Sequence, residues 1–209
     1  MSNNTTDNPA LTNEELVHIQ LDSEDVVLLL LEANERLLGK DVLSGITRVE
    51  KLIFLLREET GFEGVASFFT FKPHNFGPFS KEVYEAIDFL ESCELIEVRE
   101  KSYPCFYATF GEAQLEAEIS EGEGDGGGEE VGPGATEKIF SLTGDGRKVA
   151  KMLRRAVKLR READVQDLDN MVIRYGNIPL SQLIRYVYRR YPKMTEKSIH
   201  PEARNASRA

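Results

Sequence analysis

The side chains that most often bind metals or act as nucleophiles and bases are scarce and widely separated in this sequence. Histidine occurs at His18, His74 and His200, and cysteine at Cys93 and Cys105, with no Cys-x-x-Cys pair among them. A zinc site needs several such ligands at close spacing, so this pattern argues against one. No Ser–His–Asp or Cys–His arrangement can be assembled either, and His74 is typical of a hydrogen-bonding turn residue. We expect a protein that is not an enzyme and that binds no metal or cofactor.

The run "GEGDGGG" at residues 122–128 invites comparison with a phosphate-binding loop. Such a loop joins a strand to a helix, and in its nucleotide-binding form a Lys-Ser or Lys-Thr pair follows the glycines. Here the neighbours are instead acidic, including Glu121, Glu129 and Glu130, and would repel phosphate. The segment lacks the ligand spacing of an EF-hand loop as well. Residues 111–136 therefore predict a flexible acidic, glycine-rich insertion.

Charge is distributed very unevenly along the chain, whose 209 residues have a formal net charge of −10. Residues 1–146 contain 10 Lys and Arg against 30 Asp and Glu, whereas residues 147–209 contain 16 against 6. The acidic total argues against a general nucleic-acid coat protein, but a basic C-terminal part is typical of a binding segment.

Two helical segments carry these C-terminal cations. Residues 146–163 and 179–191 each repeat apolar residues at helical spacing, which predicts two amphipathic helices with basic outer faces. The candidate contact residues for a nucleic acid or a partner are Arg147, Lys148, Lys151, Arg154, Arg155, Lys158, Arg161, Arg185, Arg189 and Arg190. The alternative interpretation is a cationic face that is solvated or docked on the acidic part of the chain.

A turn and a helix start are predicted shortly before residue 81. Phe68, Phe69 and Phe71 favour a strand that Pro73 interrupts. The predicted structural turn consists of Asn75, Phe76, Gly77 and Pro78, after which Ser80 caps the next helix.

The remaining elements alternate between helices and short strands. Further helices are predicted at residues 22–38, 47–60, 80–91 and 166–175, and the second of these begins with a Thr47–Glu50 capping box. Strands are predicted at residues 95–100, 105–110 and 138–142. This order predicts a mainly α, α+β fold: a winged-helix-like core with a small antiparallel sheet and additional C-terminal helices. Its predicted divisions are a flexible tail (1–22), a single domain (23–191) that contains the insertion, and a C-terminal tail (192–209).

The helix at residues 80–91 occupies the position of a recognition helix in that fold. Its polar face carries one cation, Lys81, and four acids, Glu82, Glu85, Asp88 and Glu91. Most affinity for DNA comes from cationic contacts with phosphate, so this face disfavours insertion into a groove. A helix that faces a protein or solvent fits better.

Four segments appear in an order that resembles a known family: "ITRVEKLIFLL", "FTFKPHNFGPFSKEVYEAIDFLESCELIE", "FSLTGDGRKVA" and "LIRYVYRRYPKMTEKS". They are similar to the prokaryotic YwgA-type proteins and, more distantly, to SocA-like antitoxin (Panacea) domains. The resemblance covers residues 25–198 and includes the Lys51-Leu52 pair, a turn with Phe76-Gly77-Pro78 where the family has Tyr-Gly-Pro, and Tyr191-Pro192. It implies a non-enzymatic protein that neutralises a toxin by binding it or helps to deliver it to a protease. The long acidic insertion departs from the family.

The sequence thus favours a non-catalytic binding protein whose partner is another protein, in an antitoxin-like or regulatory role. The alternative is a DNA- or RNA-binding transcriptional regulator that uses the wing and the basic C-terminal helices. Formation of a homo-oligomer is compatible with either role. The longest apolar run, Val26–Leu31, is too short for a membrane span, and we expect a cytoplasmic protein with no membrane association.

Overall fold

The computed structural model describes residues 12–17, 20–62, 64–102 and 136–198. In these ranges the chain is mainly helical and has a small antiparallel sheet, which confirms the predicted fold class at that level. The helices are α1 (Asn13–Val17), α2 (Ser23–Leu38), α3 (Ile46–Glu59), α4 (Val65–Phe68), α5 (Lys81–Ser92), α6 (Gly144–Arg160), α7 (Glu162–Tyr175) and α8 (Leu180–Arg190), followed by a 3-10 helix at Pro192–Thr195. The strands are β1 (Leu43–Ser44), β2 (Lys72–His74), β3 (Gly77–Phe79), β4 (Ile96–Ser102) and β5 (Thr136–Leu142). None of the helices in the described ranges is long and apolar enough to cross a bilayer.

The α2 helix lies at the centre of the core, packed by α5, α6 and α7. Asp22 caps it, because the Asp22 carboxylate accepts the Asp25 amide at 3.1 Å and the Asp25 carboxylate accepts the Asp22 amide at 3.2 Å. Gly39 ends it in the left-handed conformation, with φ of 66°. The run Val26–Leu31 is buried throughout, because neighbouring elements surround this part of α2. A helix covered in this way is apolar on nearly all sides.

The sheet has the strand order β1-β5-β4, and both pairings are antiparallel. β4 and β5 pair from Ile96 opposite Leu142 to Ser102 opposite Thr136, so residues 103–135 connect the two strands of a hairpin. Phe140 and Leu142 are buried, which places one face of the sheet on the core. The prediction of a strand at residues 138–142 is confirmed, whereas the strand predicted at residues 105–110 lies outside the described residues.

The predicted turn before α5 differs from the observed one. β2 and β3 form a hairpin with His74 opposite Gly77, so Asn75 and Phe76 form the turn while Gly77 and Pro78 belong to β3. Gly77 has φ of 95°, and a Cβ added there would lie 2.8 Å from Tyr188 Cε1. Glycine is therefore required both by backbone conformation and by the close approach of the tyrosine ring.

Two further local predictions near this turn are wrong. The phenylalanines at 68–71 do not form a strand, because α4 covers Val65–Phe68 and β2 begins at Lys72. The capping box of α3 is absent: Gly45 occupies the N-cap position, while Thr47 and Glu50 are buried within the helix. In both cases tertiary packing overrides the local pattern.

Residues assigned to loose tails also fold onto the domain. Leu16 of α1 is buried, and α1 packs on α6. The 3-10 helix packs on β2 and β3, and the Ser198 hydroxyl donates to the Asn75 carbonyl at 2.9 Å. Residues 13–17 and 192–198, on either side of the predicted domain at 23–191, therefore contact the elements of that domain.

Candidate functional site

The first basic helix, α6, directs two of its arginines toward carboxylates of the core. Arg147 Nε lies 2.8 Å from both carboxylate oxygens of Glu35 on α2. Arg154 NH2 donates to Asp169 on α7 at 3.2 Å, and its Nε lies 3.7 Å from Glu32 Oε2. These two cations are already neutralised within the chain, so they are weak candidates for contact with phosphate.

Arg36 completes an ionic network between α2, α6 and α7. Its guanidinium lies 2.9 Å from Glu32 and 2.5 Å from Asp169. Among the described residues, Glu32 Oε2 and Arg154 Nε are buried without a hydrogen-bond partner, although they face each other. A cavity of about 270 Å³ beside this network is also lined by Lys151. The mixed charge of the network is typical of an interface between helices rather than of a ligand site.

Other candidate cations of this part of the chain have near neighbours of their own. Lys148 lies 2.7 Å from Asp145, and Lys158 lies 3.3 Å from Glu162. Arg155 donates to Asn13 of α1, and Arg161 lies 3.4 Å from Asp164. The three ion pairs among these contacts contribute little stability where they are exposed, but each lowers the local positive potential, whereas Asn13 is neutral. The structure therefore divides the predicted basic surface rather than presenting it as a single patch.

The basic residues of α8 face solvent. Arg185, Arg189 and Arg190 are exposed, and Lys193 and Lys197 follow them in exposed positions. We call Arg185, Arg189, Arg190, Lys193 and Lys197 the α8 basic strip. The opposite side of α8 is buried, because Leu183, Ile184, Val187 and Tyr188 pack in the core. The predicted amphipathic design of this helix is confirmed.

A carboxylate surrounded by tyrosines lies where α3, α7 and α8 meet. Glu59 accepts hydrogen bonds from Tyr175 at 2.5 Å, Tyr186 at 2.5 Å and Tyr191 at 3.2 Å. The Arg174 guanidinium lies 3.9 Å from the same carboxylate and 5.0 Å from the Tyr175 ring centroid. Sequence reasoning missed this cluster, because Glu59 lies more than a hundred residues before the tyrosines and no local pattern joins them.

The electrostatics of the Glu59 cluster oppose acid–base catalysis. Burial by itself favours the neutral carboxyl, yet hydrogen bonds from Tyr175, Tyr186 and Tyr191 lower the Glu59 pKa below its ordinary value. Burial and the adjacent carboxylate raise the pKa values of Tyr175 and Tyr191 well above their ordinary range. A general acid or base works best with a pKa near the working pH, and this cluster moves both partners away from it.

Two buried charges hold the strand that precedes α5. Lys51 Nζ donates to the Pro78 carbonyl at 2.9 Å, and Glu50 Oε1 accepts the Ser80 amide at 3.2 Å. Ser80 is the N-cap residue of α5, as predicted, but its hydroxyl donates to Glu82 instead of capping the helix. Glu50 and Lys51 thus fix the position of the segment from which α5 begins.

The exposed side of α5 combines an aromatic ring with carboxylates. Phe89 is 53% exposed. Glu85, Asp88, Glu91 and Glu94 are exposed along the same helix and its C-terminal cap. We call Phe89 with these four acids the α5 acidic surface. In the described residues the other large exposed apolar side chains are Leu159 and Ile173.

The end of α5 retains acidic residues at two positions where helix physics disfavours them. Glu91 lies in the last turn, which contains no basic residue and where a negative charge opposes the helix dipole. Glu94 has φ of 57° in a Schellman motif, in which the Leu95 amide donates to the Leu90 carbonyl at 3.0 Å. Glycine is the usual residue at that position. The acidic character of this surface is therefore maintained at a cost in local stability.

No group of three or more histidine, cysteine, aspartate or glutamate side chains within the described ranges is arranged to hold a metal ion. Comparison of the chain with models of known protein families, with curated proteins and with solved structures finds no match to any of them. The assignment of function therefore depends on the chemistry of the surfaces described above.

Proposed function

We propose that the chain is a non-catalytic, winged-helix-like protein that binds a partner protein through the α5 acidic surface, in an antitoxin-like or regulatory role. The winged-helix assignment is supported by the order α2-β1-α3-α5-β4-β5, into which α4 and the β2–β3 hairpin are inserted between α3 and α5, and by the strand order β1-β5-β4. In that arrangement α5 stands in the position of a recognition helix. The antitoxin-like role is supported by the resemblance of residues 25–198 to YwgA-type and SocA-like proteins.

The single observation that carries the proposal is Phe89, 53% exposed and accompanied by carboxylates. Carboxylates repel phosphate, so a nucleic acid is a poor ligand for this surface. Aromatic residues surrounded by polar groups are typical of the centre of a protein–protein interface. The complementary partner presents an apolar pocket rimmed by lysine or arginine side chains.

The test uses matched variants of two exposed apolar residues. Phe89→Asp removes the ring from the α5 acidic surface, whereas Ile173→Asp makes the same change at a 58% exposed position on α7. Each tagged protein is expressed in its own host and purified after nuclease treatment, and the retained proteins are identified by mass spectrometry. We expect a partner that wild type and Ile173→Asp retain and that Phe89→Asp loses.

Charge reversal provides a second arm of the same experiment. Asp88→Lys should reduce retention of the partner, since the predicted contact is electrostatically complementary. Retention of the same proteins by wild type, Phe89→Asp and Asp88→Lys would contradict the assignment of this surface. Circular dichroism of each variant checks that the helical content is unchanged.

The second candidate function is nucleic-acid binding through the α8 basic strip. It is supported by the exposure of Arg185 and Arg189 on the side of α8 opposite the core. Such binding would depend steeply on salt, because counterions are released when cations contact phosphates. Titration of the full chain with labelled duplex DNA and with RNA at two salt concentrations tests it. Absence of binding at low salt would remove this candidate and leave the first one untouched.

A further inference from the structure

A cavity of about 500 Å³ lies where the end of α2, the start of α3 and the α7–α8 connection meet. Its described lining residues are Asn34, Lys40, Val42, Leu43, Ser44, Arg48, Gly176, Asn177, Ile178 and Pro179. A volume of this size suits a small organic molecule, since such sites typically measure about 300–1,000 Å³. The cavity shares no residue with the α5 acidic surface or with the α8 basic strip.

The charge of this lining contrasts with that of the whole chain. The protein has 36 acidic and 26 basic residues, yet the described lining contains two cations, Lys40 and Arg48, and no carboxylate. The first turns of α3 and α8, which border the cavity, contain no acidic residue either. Among the described lining residues an anion therefore meets two cationic side chains and no carboxylate, while Asp41 adjoins Lys40 in the chain but does not line the cavity.

The polar groups of the wall are held in place by the fold. Arg48 NH1 donates to the Ile178 carbonyl at 2.8 Å, which fixes the guanidinium against the α7–α8 connection. Asn34 is 2% exposed, and its amide donates to the carbonyls of Lys40 at 2.8 Å and Val42 at 3.1 Å. Because these bonds hold both cation-bearing segments, little ordering entropy is lost when a ligand binds.

The rest of the lining is apolar or neutral. Val42, Leu43, Ile178 and Pro179 provide hydrocarbon surface, while Ser44 and Asn177 provide neutral hydrogen-bonding groups. A predominantly apolar wall with a few placed polar groups is typical of sites for small molecules. Arginine in such a wall favours planar or tetrahedral oxyanions, because its guanidinium can donate two parallel hydrogen bonds.

From these observations we propose that the cavity binds a small organic molecule that carries an oxyanion, either a phosphate monoester or a carboxylate. Arg48 and Lys40 contact the oxyanion, and Leu43, Ile178 and Pro179 contact the apolar part of the ligand. This site is independent of the proposed partner-binding surface, and it gives the protein a means of sensing a metabolite.

The test uses three probes that share one aromatic ring. Phenyl phosphate and benzoate carry the two oxyanions, and benzamide is the neutral control. Each is titrated into the isotopically labelled full chain at constant ionic strength, and the amide signals of Ser44 and Asn177 are followed by NMR. We expect saturable shifts with at least one anion and none with benzamide. The anion that binds more tightly identifies the oxyanion.

Variants locate the binding. Lys40→Gln removes an exposed cation of the cavity, and we expect the dissociation constant to rise about tenfold, as for the loss of one charge-assisted hydrogen bond. Lys193→Gln, at an exposed position outside the lining, should leave the dissociation constant unchanged. Arg48→Gln should weaken binding at least as much. Lys40→Gln is the decisive variant, because Arg48 also donates to the Ile178 carbonyl and its loss could alter the cavity wall.

Three results would overturn the proposal. The first is no shift with either anion up to about 10 mM, where even a millimolar site is largely filled. The second is binding of benzamide as tightly as the anions. The third is an equal affinity of wild type and Lys40→Gln.

Discussion

Glu59 accepts hydrogen bonds from three tyrosine hydroxyls, and Glu59→Gln tests how strongly this cluster fastens α7 and α8 to α3. A hydrogen bond to a charged group contributes roughly 1.5–3 kcal/mol, and a neutral one roughly 0.5–1.5 kcal/mol. The amide oxygen of glutamine can keep two of the bonds as neutral ones, while its nitrogen cannot accept the third. Relief of the partly buried charge offsets part of the loss, which leaves a net destabilisation of about 2 kcal/mol.

The pH dependence of this loss follows from the direction of the Glu59 pKa shift. The folded-state pKa lies below the ordinary value of 4.5, so the folded state favours the ionised carboxylate. The stabilisation is therefore complete above that ordinary value and disappears as pH falls through the folded-state pKa. Glutamine does not titrate, and the difference in unfolding free energy between wild type and Glu59→Gln should shrink as the pH falls.

Urea denaturation followed by circular dichroism, at neutral and at acidic pH, measures this difference. Glu58→Gln is the matched control, because Glu58 is exposed and lies 3.6 Å from Arg57 in a single surface pair. We expect the control to change stability by less than about 0.5 kcal/mol. A loss in Glu59→Gln no greater than in Glu58→Gln, or a difference that stays constant as the pH falls, would refute the reasoning.

The remaining predictions concern backbone and buried charge, and the same urea assay measures each of them. Glu94→Gly should stabilise the protein by about 0.5–1 kcal/mol, because φ of 57° suits glycine, and no gain would contradict this account of the cap. Gly77→Ala should cost about 3 kcal/mol, since φ of 95° and the Tyr188 ring both exclude a Cβ, whereas a loss below about 1 kcal/mol would show that the ring moves aside. Lys51→Met should cost about 3 kcal/mol, because the Glu50 carboxylate and the Pro78 carbonyl stay buried after the ammonium is removed. The double variant Lys51→Met/Glu50→Gln should lose less stability than the sum of the two single losses, and strict additivity would show that the two charges are not coupled.

The helices of this protein could be predicted well from sequence where their apolar spacing or caps were strong. The helix predicted at residues 22–38 is confirmed as α2, which Asp22 caps and Gly39 ends, and the apolar side of α8 is confirmed as well. The strand at residues 138–142 is also confirmed. These features depend on residues close in sequence, whose side chains and backbone interact within a turn or a strand pair.

The local errors arose where distant contacts decided the outcome. Thr47 and Glu50 have the spacing of a capping box, but the core buries both, and Glu50 accepts the amide of Ser80 instead. Gly77 and Pro78 form a common turn pair, yet they belong to β3 and pair with β2, where Tyr188 packs against Gly77 and Lys51 donates to the Pro78 carbonyl. A long-range contact of the same kind joins Ser198, in the predicted C-terminal tail, to the Asn75 carbonyl.

The sequence by itself determined the mainly helical composition, the small sheet, the uneven charge and the acidic character of the helix at residues 80–91, because each is a property of local spacing or composition. Tertiary structure alone decided which charges remain available. It neutralised Arg147 and Arg154 against carboxylates of α2 and α7, exposed Phe89, and brought Glu59 together with tyrosines far away in the chain. The physical reason is that burial and pairing depend on which elements pack together, and a charge that looks exposed on its own helix can face an opposite charge on the next one.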